Sequence, residues 1–159
     1  MVLPNGSVAV MIHTDDNNGW SGETIAVAPS WQGPYTVTVG NEAVNNEPLK
    51  QEDPFMWIDA RGHYHALLHL MFDPPGMGPC GFWAGGHMAS VDGTKWTPIY
   101  RSYNTTVRTV DGKTTVFGRR ERPKLIFDTA GRPTHLFNGV IPASGNPYTA
   151  VAPINTPNP

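Results

Sequence analysis

The sequence has little cysteine, little charge and no long apolar run. Its single cysteine, Cys80, excludes an internal disulfide and a zinc site built from several cysteines. Only 15% of the 159 residues are charged, against the usual ~25%, and the net charge of −2 lacks the basic excess of a nucleic-acid-binding protein. No apolar segment approaches the ~18 residues of a membrane span. We therefore expect neither nucleic acid nor a membrane as a partner.

The N-terminal residues lack the charged start and long apolar core of a signal peptide. The sequence itself assigns no cellular compartment, because a single cysteine carries no redox signal.

The chain contains 17 glycines and 16 prolines, together with 5 Trp, 5 Tyr and 6 Phe. Proline and glycine recur too often for a long helix, whereas the aromatic content indicates a packed core. Short runs rich in β-branched and aromatic residues are typical of strands. They include Tyr64–Met71, Trp96–Tyr100, Thr114–Phe117 and Pro123–Phe127. Asp-Gly turns separate several of them and favour two-residue hairpins, so the predicted fold class is all-β and antiparallel.

An internal repeat relates two parts of the chain at an offset of about 69 residues, the spacing from Glu52 to Glu121. Each unit begins with an acidic residue shortly before a proline, continues as an apolar strand to an aspartate, and passes through a glycine turn into a second strand. A β unit that repeats in this way is typical of the blades of a β-propeller.

Three motifs, in this order along the chain, resemble those of five-bladed β-propeller glycoside hydrolases similar to family 43. They are Glu52-Asp53-Pro54, Gly85-Gly86-His87 followed by Ser90–Trp96, and Arg119–Pro123. The segment Gly19–Tyr35 also resembles a blade of this group. The resemblance implies hydrolysis of a glycosidic bond.

The resemblance also implies roles for two carboxylates. Asp53 matches the family's aspartate that tunes the acid, and Glu121 matches its general acid, whose pKa we expect low polarity and Asp53 to raise. The family's aspartate base would lie before the start of this chain. Asp15 and Asp16 follow the first strand, so that role is not transferred to them.

The length predicts an incomplete propeller. A blade takes roughly 40–50 residues, so residues 1–155 would form about three blades and residues 156–159 a flexible tail. Three blades do not close a five-bladed ring, and the open sheet edges predict either a fragment or a homo-oligomer.

A carbohydrate, or another small molecule, is the expected substrate, and the glycosidase needs no cofactor. The predicted substrate-binding residues are Trp83, Arg119, Arg120 and Asn138. Tryptophan can stack on a sugar ring, and arginine can bind hydroxyl groups or a carboxylate. A catalytically inactive carbohydrate-binding remnant would use the same residues.

A metal-dependent hydrolase of ester or phosphoester bonds is the alternative. If the two strands after Asp53 return as a hairpin, His69 and His87 converge on Asp53. Two imidazoles and one carboxylate form a recognised catalytic site for Zn²⁺ or a similar divalent ion.

Each candidate also has a structural explanation, which the sequence leaves open. Glu121 could pair with the neighbouring arginines, Asp53 could hold the turn before Pro54, and His69 and His87 could be packing residues. The tryptophans could belong to the core.

Overall fold

The computed structural model describes residues 1–15, 21–40, 50–71 and 83–154. These residues form eleven β-strands, all paired antiparallel, and none of them lies in an α-helix. Within these ranges no helix is long and apolar enough to cross a membrane. The predicted all-β, antiparallel class is confirmed.

The strands form three sheets. The first has the order β1-β2-β3, with β1 Val8–Asp15, β2 Ser21–Ala28 and β3 Thr36–Val39. The second has the order β4-β5-β6-β7, with β4 Lys50–Ile58, β5 Tyr64–Met71, β6 Trp83–Ser90 and β7 Tyr100–Tyr103. The third has the order β11-β10-β9-β8, with β8 Thr106–Arg108, β9 Thr114–Phe127, β10 Pro133–Pro142 and β11 Tyr148–Pro153.

The predicted strands differ from the structure in three places. The strand predicted over Trp96–Tyr100 was wrong for residues 96–99, where Pro98 has no N–H for a ladder, and β7 begins at Tyr100. The two strands predicted within residues 114–127 are one continuous strand, β9. Strand β11 was not predicted, because its surroundings are rich in proline and asparagine.

The tight turns follow the glycines, but the Asp111-Gly112 turn is one residue longer than expected. Gly112 has a φ of +81°, in the left-handed region that glycine adopts without strain. The Thr109 N–H donates to the Lys113 carbonyl, which leaves three residues in the loop rather than two. The loop that ends at Gly62 has the same length, because the Asp59 N–H donates to the His63 carbonyl. A turn followed by a left-handed glycine is the common three-residue solution.

The core joins the first two sheets. Its buried residues come from β2, β3, β5 and β6, with Trp96 added from the segment after β6: Ile25, Val39, Ala66, Leu68, Met88 and Trp96. Strand β4 contacts β1 and β2 on one side and β9 on the other, while β9 also contacts β5 and β6. The second sheet therefore lies between the other two, as one blade lies between its neighbours in a propeller.

The internal repeat is visible in the backbone. Asp53 and Arg122 each precede a proline, and both have positive φ, +56° and +53°. A register shift accompanies each, between Glu52 and Phe55 on β4 and opposite Phe137 and Gly139 on β10. Such bulges re-aim the adjacent side chains. They place Glu52 opposite His69 and Glu121 opposite Gly139.

Candidate active site

Two carboxylates from adjacent sheets act on one buried tyrosine. Burial raises the pKa of the Tyr103 hydroxyl, and the negative charges of Asp53 and Glu121 raise it further, against the Asn138 hydrogen bond and Arg120. Asn138 Nδ2 donates both to the Tyr103 hydroxyl and to the Glu121 carbonyl, which places Glu121 of β9 beside this tyrosine. Asp53 of β4 acts on the same hydroxyl through its charge.

A buried histidine lies beneath the start of β4. The side chain of His69 has no exposed surface, and its Nδ1 lies 3.0 Å from Glu52 Oε1 and 4.0 Å from Asp53 Oδ2. The side chains of Glu52 and Asp53 are 34% and 27% exposed, so they reach the solvent, whereas the imidazole of His69 lies buried behind them. This contact fixes Glu52, which occupies the same place in its unit as Glu121 does in the next.

Glu121 lies among cations. Its side chain is 10% exposed, with Oε2 3.8 Å from Arg119 Nη1 and Oε1 3.8 Å from Arg122 Nη1. Arg122 is 72% exposed, so one of these guanidinium groups lies on the open side of the carboxylate. Both ion pairs are longer than direct hydrogen bonds.

Arg120 and Asn138 form a buried network behind Glu121. Arg120 Nε donates to Asn138 Oδ1 at 2.9 Å, and Asn138 Nδ2 donates to the Tyr103 hydroxyl at 3.0 Å and to the Glu121 carbonyl at 3.2 Å. Arg120 and Asn138 are 6% and 1% exposed. The geometry favours support of the Glu121 backbone over the direct substrate contact predicted for both residues.

Gly85 makes room for this network. A Cβ atom added at Gly85 would lie 1.9 Å from the Tyr103 ring, which itself lies 4.7 Å beneath the Arg120 guanidinium. Only a residue without a side chain allows the ring to lie against β6 here. This packing explains the first glycine of the Gly85-Gly86-His87 motif.

A further buried carboxylate, which sequence reasoning missed, lies on β2. Glu23 has no exposed surface, and burial raises its pKa, although a 2.7 Å hydrogen bond from Gln51 and the charge of His13 lower it. The charge of Asp53 also raises the pKa of Glu23, and Gln51, the hydrogen-bond partner of Glu23, directly precedes Glu52 and Asp53 on β4. The available signal was an acidic residue in a strand that continues as Thr24–Ala28, a mostly apolar run.

The predicted convergence of His87 with His69 and Asp53 was wrong. The register pairs His69 with Gly85 and His87 with Leu67, so His87 lies two residues further along β6. Its Nε2 lies 3.0 Å from Nδ1 of His65 instead. Trp83 begins β6, and its side chain lies outside the part of the chain that the structure describes.

In the described ranges, the group whose ligand atoms could surround a metal ion is Glu52, Asp53 and His69, with those atoms within 4.8 Å of one another. The predicted metal ligands were His69, His87 and one carboxylate, so a second carboxylate takes the place of His87. It offers oxygen and nitrogen ligands of the kind that divalent cations accept.

Comparison with known proteins gives structural neighbours only. No family model and no curated protein sequence matches the chain. The fold is similar to that of fructan 1-exohydrolase IIa from Cichorium intybus, with a TM-score of 0.59 and 13% identity for a variant in complex with 1-kestose. A second structure of that enzyme has a TM-score of 0.58 and 12% sequence identity to this chain. An endo-arabinase from Bacteroides thetaiotaomicron gives a TM-score of 0.48 and 14% identity over 95% of this chain and 72% of its own.

The two fructan exohydrolase structures match 94% of this chain, which spans 29% of their length. The likeness shows the fold, an antiparallel arrangement of β-propeller blades, and confirms the predicted fold class. By name, the first two of these neighbours are exohydrolases of fructan.

Proposed function

We propose that the chain supplies the proton-donating half of a glycoside hydrolase active site, with Glu121 as general acid and Asp53 as the carboxylate that tunes it. The supporting observation is that the charges of both side chains raise the pKa of the Tyr103 hydroxyl, and that each carboxylate lies at a bulge at the start of a repeated unit. A pair of carboxylates flanking the scissile bond is the usual machinery of glycoside hydrolysis.

The Glu121 carboxyl donates its proton to the oxygen that leaves with one sugar. The bond between that oxygen and the anomeric carbon breaks, and the carbon gains the hydroxyl of a water molecule. The other proton of that water restores the carboxyl group, so the cycle consumes only substrate and water.

The surroundings of Glu121 suit this role. Asn138 and Arg120 hold its backbone from behind, which fixes the direction of the side chain. Arg119 and Arg122 lie 3.8 Å from its oxygens and are 43% and 72% exposed, where they can reach sugar hydroxyls. Glu52, one third exposed and held by His69, adds an acceptor for a further hydroxyl.

The first test is hydrolysis of 1-kestose, the compound bound in one of the structural neighbours. We expect sugar release that withstands EDTA, and a loss of about tenfold or more in the Asp53→Asn variant, because the neighbouring charge is removed. Asp111→Asn, in an exposed hairpin turn, is the control that should retain full activity.

Product release is followed by chromatography. Sugar binding without any turnover would contradict the proposal and identify a carbohydrate-binding remnant. Activity lost in EDTA and restored by Zn²⁺ would instead support the metal-dependent alternative, with Glu52, Asp53 and His69 as its ligands.

A further inference from the structure

A second group of titratable side chains lies at the turn end of the middle sheet. His65 Nε2 lies 3.2 Å from Asp59 Oδ2, and His65 Nδ1 lies 3.0 Å from His87 Nε2. We call Asp59, His65 and His87 the Asp59 triad. It joins the β4–β5 turn, β5 and β6, and it is distinct from the carboxylate cluster at the start of β4.

The ends of the triad are fixed in place. Arg61 donates from Nε and Nη2 to Asp59 Oδ2 at 2.9 and 2.6 Å, and the backbone N–H groups of Arg61 and His63 donate to Oδ1. Although desolvation opposes them, these hydrogen bonds and that of His65 hold the pKa of the Asp59 carboxyl well below its usual range. Asp59 is therefore an acceptor for the Nε2 hydrogen of His65.

With the Nε2 hydrogen of His65 bound to Asp59, the two imidazoles can take up one proton while the hydrogen bond between them remains intact. The 3.0 Å gap between His65 Nδ1 and His87 Nε2 has room for a single hydrogen. A second charge would place hydrogens on both facing nitrogens and two positive rings in contact. Burial, and then the charge of His65, lower the pKa of His87 below its ordinary value of 6.5.

Few other charges face the pair. Asp59, with Arg61 upon it, lies on the turn side. On β7, Tyr100 lies opposite His87 in the register, and on β9, Lys124 lies over the Phe55 ring at 5.3 Å. Of these groups, His65 is the one whose charge acts on His87. Acid therefore adds a charge at His87, and none of the carboxylates in the described residues adjoins it.

Trp57 connects the triad to a surface groove. Its ring lies parallel to His65, with centroids 5.0 Å apart and planes at 16°, and 5.8 Å from the ring of His87. Trp57 also lines an apolar groove of about 570 Å³ with Phe55, Phe127 and residues of β1. The Trp57 ring therefore contacts the imidazoles and also lines the groove.

We propose that the Asp59 triad is a pH-sensitive switch that sets the position of Trp57 in this groove. Above pH 6.5 the hydrogen bond between the imidazoles holds His65 flat against Trp57. As the pH falls, the unfolded state binds the proton of His87 more readily than the folded state does, so stability is lost. Each unit by which the pKa is lowered costs about tenfold in the folding equilibrium constant at acid pH.

The experiment compares wild type with His87→Gln, in which the amide can still donate to His65 Nδ1 but does not titrate. His135→Gln is the matched control, because His135 is exposed and bonds only the adjacent Thr134 in the described ranges. Denaturant unfolding is measured at pH 7.5 and pH 5.0. We expect the folding equilibrium constants of wild type and His135→Gln to fall by a similar factor between pH 7.5 and pH 5.0. For His87→Gln, we expect this factor to be at least several-fold smaller.

Two further measurements test the proposal if His87→Gln folds poorly. In wild type, histidine NMR should show His87 taking up its charge below its ordinary pKa of 6.5. Acid should shift the tryptophan fluorescence, and Trp57→Phe should remove that shift. Equal acid loss in all three proteins, or titration of His87 at or above pH 6.5, would overturn the proposal.

Discussion

Replacing Glu121 with glutamine is expected to lower the hydrolysis of unactivated oligosaccharides by about 10²- to 10⁴-fold, the usual contribution of general acid catalysis. The amide has the same shape but does not donate a proton to the leaving oxygen. The backbone bond from Asn138 to the Glu121 carbonyl does not involve the side chain, so the fold should persist. Initial rates of 1-kestose cleavage by both proteins measure the effect.

Two controls separate catalysis from folding. Thermal unfolding of Glu121→Gln should stay close to that of wild type, because its ion pairs with Arg119 and Arg122 are long and one partner is largely exposed. Glu52→Gln changes the acid at the same place in the preceding unit, which contacts His69 rather than the arginines. We expect it to cost much less activity; an equal loss would reject Glu121 as the specific donor.

Gly85→Ala is expected to destabilise the protein by about 3 kcal/mol or more, at the upper end of overpacking substitutions. The new methyl group would lie 1.9 Å from the Tyr103 ring, which is held by Arg120 on one side and by Asn138 at its hydroxyl. Relief requires the ring to move and the buried hydrogen bonds to break. Denaturant unfolding with linear extrapolation measures the change.

Gly118→Ala is the matched control on a neighbouring strand. Its added Cβ meets only the Ile141 carbonyl, at 3.4 Å, and its φ lies outside the left-handed region. We expect a change within about 0.5 kcal/mol. In a Tyr103→Ala background, Gly85→Ala should become nearly neutral, and an unchanged cost there would show that the ring is not the cause.

Local signals determined the parts of the fold that the sequence predicted well. The apolar run Tyr64–Met71 matches β5 residue for residue, because nothing in it breaks a strand. The repeated acid-x-Pro pattern marks two bulges with matching left-handed residues, since proline removes a ladder N–H and disturbs the pairing. These features need only the neighbouring residues along the chain.

The site residues that were misplaced depend on register and on strand faces. Strands β5 and β6 are separated by eleven residues, too many for a turn to fix their register, so the sequence did not show that His87 lies opposite Leu67. Alternation along β9 places Arg120 on the face opposite Arg119 and Glu121, which buries it among Asn138 and Tyr103. Arg120 is therefore buried, whereas Arg119 and Arg122 lie beside the Glu121 carboxylate.

The role of Glu121 as proton donor is the central claim, and leaving-group dependence tests it most directly. A nitrophenyl fructofuranoside needs little protonation of its leaving oxygen, whereas the methyl fructofuranoside needs a full proton. The account predicts that Glu121→Gln cleaves the nitrophenyl substrate within about tenfold of wild type and loses 10²-fold or more on the methyl substrate. An equal loss on both substrates, or no loss on either, would contradict it.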